Sequence, residues 1–297
     1  MLAVENKPVL VTGTSSGIGR TACEFLATRG CPVIAGARTS GDLEALAKIP
    51  HVRPIRLDVG SPESVDRAVT QVGQWGQGLY GLVNCAGVAG LGALVDTSQE
   101  EFDRVVGVNL TGVHRMVHAF GPMICASRGR IVNMSSIGGF LTETWLGPYG
   151  TSKHGLEGYS EILREELATI GVHVSTIEPG AYRSRIAENF YRHIGGHLEP
   201  LWTHSILRDQ MRPVADWYQH TPGAIDRSTL PEPTPVAEAV FSALFSENPK
   251  PRYLVADAET AKKVVDGMLR RVVEVNNGQG TPLSGPDLVE RLKKLIA

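Results

Sequence analysis

The run Tyr149-Gly-Thr-Ser-Lys153 sets a phenol and an ammonium four positions apart at the start of a long helical pattern. On a helix that spacing brings both side chains onto one face. A cation within about 4–6 Å favours phenolate over phenol and lowers a tyrosine pKa by roughly a unit or more. Such a tyrosine becomes useful for acid–base work near neutral pH. Thirteen residues upstream, Ser136 ends the run Ile131-Val-Asn-Met-Ser-Ser136, where its hydroxyl could orient or polarise a substrate carbonyl. A second kind of chemistry lies near the N-terminus, in Thr12-Gly-Thr-Ser-Ser-Gly-Ile-Gly19. There Gly13, Gly17 and Gly19, with Ser15, Ser16 and Ile18 between them, make a turn whose backbone can approach a pyrophosphate closely. The negative charge would sit among the free N–H groups of the helix that follows.

These groups need a scaffold, and the remaining pattern supplies one. Short apolar runs at Pro8–Thr12, Val33–Ala35, His51–Leu57, Leu79–Asn84, Arg130–Ser135 and Val172–Glu178 alternate with longer helical patterns, among them Pro62–Trp75, Gln99–Cys125 and Tyr149–Ile170. Strand–helix alternation with short links predicts an α/β fold: one doubly wound parallel sheet of about seven strands, helices on both faces. Arg252–Val255 reads as the last strand. Ser136 then falls at a carboxyl edge, where sheets of this kind place their sites. The rhythm breaks over 185–235, a stretch without a clean period that reads as a substrate loop or lid. Residues 1–256 are expected to form the sheet domain. Residues 257–297 are expected to form a helical extension packed on it, since Ala261, Val264, Val265, Met268, Leu269, Val272 and Val273 recur at helical steps.

Composition narrows the function classes. The 297 residues carry 29 basic and 31 acidic side chains, for a net charge of −2, and 42% are hydrophobic. Like charges form no run, which argues against a nucleic-acid partner. No apolar stretch of about 18 residues offers a membrane span. The opening MLAVENKPVLV lacks the features of a signal peptide. The four cysteines have no C-x-x-C spacing and read as free thiols. A cytoplasmic location is therefore expected.

Taken together, these motifs resemble the short-chain dehydrogenase/reductase family over about residues 8–185 and more weakly to 255. Thr12–Gly19 is similar to the family's TGxxxGxG turn, and Tyr149, Lys153 and Ser136 to its catalytic set. Asp58-Val59 matches an adenine-contacting position. Asn84-Cys-Ala86-Gly87 matches the NNAG motif with Cys85 in its second place, Asn109 a helix asparagine, and Pro179-Gly180 a PG turn. Ser184 stands where the family usually has threonine. The resemblance implies that Tyr149 exchanges a proton with the substrate oxygen while Ser136 hydrogen-bonds it. Lys153 would lower the Tyr149 pKa and bind the nicotinamide ribose, and Asn109 would hold a water linking Lys153 to solvent. It also implies a homo-oligomer, dimer or tetramer. The segments Glu178–Arg183 and Pro249–Val255 look similar to the branch of 17β-hydroxysteroid and retinol dehydrogenase-like enzymes.

At the end of the second strand, Ala37 stands where an NAD enzyme would place a carboxylate, and Arg38 follows it. A carboxylate would repel a 2′-phosphate, whereas a guanidinium can grip one. NADP(H) is thus favoured over NAD(H). Asp42 lies past the strand and is the poorer ribose ligand. On the substrate side, Trp145 and the aromatic residues Phe190, Tyr191, Trp202, Trp217 and Tyr218, with Leu201 and Met211, could line an apolar pocket, and the branch resemblance implies a bulky apolar alcohol or carbonyl compound. The histidines His193, His197, His204 and His220 could be forced into a metal site. This chemistry needs no metal, and none is assigned. The expectation is an NADP(H)-dependent oxidoreductase interconverting hydroxyl and carbonyl. Its alternatives are an NAD(H)-dependent alcohol dehydrogenase and a non-catalytic nucleotide sensor on the same fold.

Overall fold

In a computed structural model, residues 1–142, 144–195, 200–220, 228, 230–277 and 282–296 are described. His197 and the side chain of Tyr218 lie outside them. The chain forms two compact units, Met1–Ala256 and Asp257–Ala297.

The first unit is built on seven parallel strands: β1 (Val9–Thr12), β2 (Val33–Ala37), β3 (Val52–Arg56), β4 (Gly81–Asn84), β5 (Arg130–Met134), β6 (His173–Pro179) and β7 (Arg252–Val255). Their order is β3-β2-β1-β4-β5-β6-β7. Val11 of β1 pairs with Ala35 on one side and Val83 on the other. The order therefore reverses between β1 and β4, and a crevice must open above that pair.

β-Branched and leucine residues fill the central strands, and every residue of β1, β4 and β5 is buried. Successive side chains point to opposite faces, which splits the core in two. Val9 and Val11 pack with α1 (Gly17–Ala27) and, later in the chain, with Val236, Val240 and Leu244. Leu10 packs on the other face with Val65, Phe120, Met116 and Leu156. The connecting helices α2 (Ser40–Ala47) and α3 (Pro62–Gln74) start on Thr39 and Ser61, whose hydroxyls accept from Asp42 N and Ser64 N. Those bonds satisfy amides left open by the first turn.

Two elements differ from the sequence expectation. The single helix expected over Gln99–Cys125 is α4 (Gln99–Val106) and α5 (Gly112–Ala126) joined by a π-turn at Gly107–Thr111. The apolar pattern runs through the widened turn unbroken, so periodicity does not reveal it. Such turns recur at functional positions, and this one holds Asn109. α6 (Gly147–Ala168) follows. Among the described residues, the stretch after β6 carries three helices that the sequence pattern does not show: α7 (Ile186–His193), α8 (Pro200–Thr203) and α9 (Arg208–His220). α7 and α8 are too short to fill an eleven-residue reading window, and α9 is rich in polar and charged residues and contains Pro213, which hides its period. α10 (Thr234–Phe245) returns the chain to the sheet.

The second unit holds α11 (Ala258–Asn277) and α12 (Gly285–Ile296). The Asn276 side chain ties their connection by donating to Leu283 O at 3.0 Å and accepting from Leu283 N at 2.9 Å. No described helix is long and apolar enough to cross a membrane.

Candidate active site

The glycine turn is packed too tightly for side chains. A Cβ on Gly19 would lie 2.3 Å from the Gly13 carbonyl oxygen, and one on Gly13, whose φ is +71°, would lie 2.8 Å from Ala86 Cα. Thr12 at the end of β1 fastens this turn to the end of β4. Its buried hydroxyl oxygen accepts from Cys85 N and Ala86 N, each at 2.9 Å. Thr14 ties the turn to β2 as a donor instead, from N and Oγ1 to Gly36 O at 3.1 and 3.0 Å. The first turn of α1 carries no acidic residue, so its N–H groups and the positive end of its dipole are left for an anion. Because Gly19 meets backbone rather than a movable side chain, Gly19→Ala is expected to cost about 1–3 kcal/mol of stability and to weaken dinucleotide binding. Denaturant unfolding and fluorescence titration with the cofactor check the two effects separately.

A cleft of about 700 Å³ opens over this turn. Gly13, Ser15, Ser16, Gly17, Ile18 and Gly19 line it, together with Arg38, Asp58, Val59, Ala86, Gly87, Pro179, Gly180 and Ser184. Ser184 closes over the turn: a Cβ on Gly17 would come within 3.0 Å of Ser184 Cβ. The Asp58 carboxylate accepts from Gly60 N at 2.9 Å. Asp42 is held away by its cap, where its carboxylate accepts from Thr39 Oγ1 at 2.6 Å. Asn84 stands below the cleft floor, donating to Asn133 Oδ1 at 2.9 Å, and Asn133 donates in turn to Ser160 Oγ at 2.9 Å.

Ser136, Tyr149 and Lys153 line the same cleft from its other side. Ser136 leaves β5 and accepts from Gly138 N at 3.1 Å. A Cβ on Gly138 would lie 3.5 Å from both Ser136 Oγ and Tyr149 Cε1, so the hydroxyl and the phenol ring flank one point. Lys153 is buried, with Nζ donating to Met134 O at 2.8 Å and lying 5.7 Å from the Tyr149 ring centroid. Burial pulls its pKa down to about 8, against the attraction of Glu157 one helical turn on. Asn109 does not line the cleft. Its Oδ1 accepts from Val88 N at 2.8 Å, and Nδ2 donates to Val88 O at 2.9 Å and Ser152 Oγ at 3.0 Å. Its side-chain amide thereby fixes the backbone that follows Gly87.

The outer walls come from Trp145, Phe190, Tyr191 and Trp217. Trp145 has φ +73°, a left-handed conformation that is a genuine outlier for a bulky residue. Its carbonyl accepts from Gly92 N at 2.7 Å, which holds the strand-like bridge between Gly92 and Leu146. Trp202 and Met211 are not on the wall, and Leu201 lines a separate cavity.

A partly buried ionic cluster behind Lys153 escaped the sequence reading. Arg252 pairs with Glu157, Glu161 and Glu178, reaching Glu178 Oε1 at 3.2 Å. Thr176 Oγ1 donates to the same oxygen at 2.5 Å. Burial pushes the Glu178 carboxyl up to about 7. One signal was available: Glu157 lies four residues after Lys153 and so shares its helix face.

Comparison with known proteins identifies the family. The family described as short chain dehydrogenase matches residues 7–194. The chain is 34% identical over 268 residues to the uncharacterized oxidoreductase YbbO of Escherichia coli K12, covering 90% of this chain and 91% of that protein. It is 33% identical to mouse retinol dehydrogenase 5, covering 82% and 79%. Among solved structures, a short chain dehydrogenase/reductase from Burkholderia phymatum in complex with NAD superposes with a TM-score of 0.74 at 25% identity, covering 96% of this chain and all of that one. Fold, cleft and relatives converge, and the chain belongs to the short-chain dehydrogenase/reductase family of NAD(P)-dependent oxidoreductases acting on CH–OH groups.

Proposed function

We propose that the protein interconverts a hydroxyl and a carbonyl group on a bulky apolar substrate, favours NADP(H) over NAD(H), and uses Ser136, Tyr149 and Lys153 for the proton half of the reaction. The observation that carries this reading is the buried Lys153 ammonium beside the Tyr149 ring, in the cleft that also contains the glycine turn. The bound nicotinamide supplies or accepts the hydride. The cradle fits a dinucleotide, since Gly13 and Gly19 press on backbone with no room for a methyl group, and the first turn of α1, which carries no acidic residue, would offer its N–H groups to the phosphates. Ser136 orients the substrate oxygen, Tyr149 gives up or takes its proton, and Lys153 stabilises the phenolate. Asn109 acts as a positioning residue through Val88 and Ser152. The apolar walls at Trp145, Phe190 and Trp217 suit an apolar substrate body.

The test is a panel of aldehydes and ketones, with NADPH and NADH, followed by nicotinamide absorbance. If no carbonyl or alcohol turns over with either cofactor, the reading fails.

Cofactor choice rests on Arg38. It lines the cleft beside Ala37, and its carbonyl is held by the Arg56 guanidinium at 2.7 Å. A hydrogen bond to a charged group contributes roughly 1.5–3 kcal/mol. Arg38→Ala is therefore expected to raise the KM for NADPH by about ten- to a hundredfold, with little change for NADH. Steady-state kinetics with each cofactor decide this, and a wild type that prefers NADH would sink the assignment.

A further inference from the structure

A second cavity, of about 480 Å³, lies at the opposite end of the sheet from the cleft. It sits where the chain enters β1, β4, β5 and β6. Lys7, Arg128, Arg130 and His173 line it, and among the described residues no acidic side chain does. That is a local excess in a chain whose total charge is only −2.

Arg130 is the decisive residue. It opens β5 and is only 4% exposed. Its side chain donates to a neutral group, the Ala243 carbonyl, at 3.1 Å. Among the described residues, Lys7, Arg128, Arg130 and His173 have no carboxylate within ion-pair distance. Burying a guanidinium without a counter-charge is costly, and adding two more cations to the same cavity raises that cost. The walls are nevertheless firmly built. Arg130 N donates to Tyr80 O at 2.8 Å, and Ser127 Oγ donates to Leu79 O at 2.8 Å. A Cβ on Gly129 would lie 2.1 Å from Tyr80 O, so the two loops are pressed together. Lys7 Nζ is held 4.7 Å over the Tyr80 ring.

We propose that this cavity is a binding site for a small phosphate-bearing anion. Arg130 would meet the phosphate from within, with Lys7 and Arg128 closing on it from the rim. A phosphate oxyanion matches guanidinium donors and can neutralise more than one cation. The cavity is several times larger than inorganic phosphate, which leaves space for an organic body beside Tyr80. The site is separate from the dinucleotide turn, because its residues stand at the amino ends of the strands and the turn stands at their carboxyl ends.

The test uses the full chain and calorimetric titration at constant ionic strength, with inorganic phosphate and with glycerol 2-phosphate as probes. The two probes distinguish a free phosphate site from one that takes a phosphate monoester. Lys7→Gln/Arg128→Asn removes the two rim charges, and asparagine tolerates the left-handed φ of +45° at position 128. Arg38→Ala removes the cation beside the dinucleotide turn. Saturable binding of either probe that weakens by about tenfold or more in the double variant, and persists in Arg38→Ala, supports the site. Absence of saturable binding in the wild type overturns it, as does binding unchanged in the double variant. Thermal unfolding without phosphate verifies that the double variant is folded.

Discussion

Tyr149→Phe is expected to lower kcat by about 10²–10⁴-fold, the usual contribution of a positioned general acid or base. The thermal midpoint should move little, because the ring stays and only the phenolic oxygen is removed. The expectation follows from geometry: the ring shares one point with Ser136 Oγ and stands beside the Lys153 ammonium. Kinetics and a thermal melt on the same preparation check both halves. A variant with wild-type turnover would remove Tyr149 from the chemistry. Lys153 adds a pH signature. Its pKa is lowered by burial to about 8 from the ordinary 10.5. Below about 8 both folded and unfolded chains carry the charge, and its burial costs stability in full. Between about 8 and 10.5 the folded chain has released the proton and the unfolded chain has not, so this contribution to stability improves as pH rises. Tyr149 loses its cationic neighbour over the same window. Cofactor-free protein should therefore gain stability from this group in the alkaline range in which catalysis loses its support.

Arg252→Ala should be the most damaging single change to stability, at about 3–5 kcal/mol, because it strands buried carboxylates. The Glu157 and Glu178 side chains are 8% and 1% exposed. Glu157 Oε1 and Glu178 Oε2 already have no hydrogen-bond partner. The sign of the pH effect follows from Glu178. Its folded pKa is about 7, raised by burial above the ordinary 4.5. Below about 4.5 both states are neutral, and across about 4.5–7 the folded chain keeps a proton that the unfolded chain has released. Stability from this group therefore falls as pH rises through that window. Loss of Arg252 should accordingly hurt more at pH values above about 7 than near 5, where the carboxyl is neutral. Adding Glu178→Gln to Arg252→Ala should recover part of the loss. Urea denaturation at two pH values measures all three effects. An Arg252→Ala chain as stable as the parent at both would refute the account.

The parts of the site legible in the sequence are those fixed by short-range rules. Gly13, Gly17 and Gly19 announce a turn, and Tyr149 and Lys153 a shared helix face. Ser136 falls at a strand end because strands and helices alternate. What stayed hidden depends on contacts between distant segments. Arg252 meets Glu157 and Glu178 only because β7 lies beside β6, and no local pattern encodes that pairing. Arg130 looks like any polar start to a strand until Ala243 and Tyr80 close over it. Asn109 matched a motif, but the π-turn that aims its amide at Val88 leaves no trace in the apolar spacing. The helices of 186–220 were missed because each is too short or too polar to set up a period.

The Phe190, Tyr191 and Trp217 wall belongs to one chain segment inserted between β6 and α10, whereas the dinucleotide cradle and Lys153 stand on the sheet and on α6. Under the proposed function, substrate selection falls mainly to this segment, with Trp145 added from the link before α6. Exchanging residues 185–233 for the counterpart in another family member, with Ser184 kept over the glycine turn, should then shift substrate preference while leaving every strand untouched.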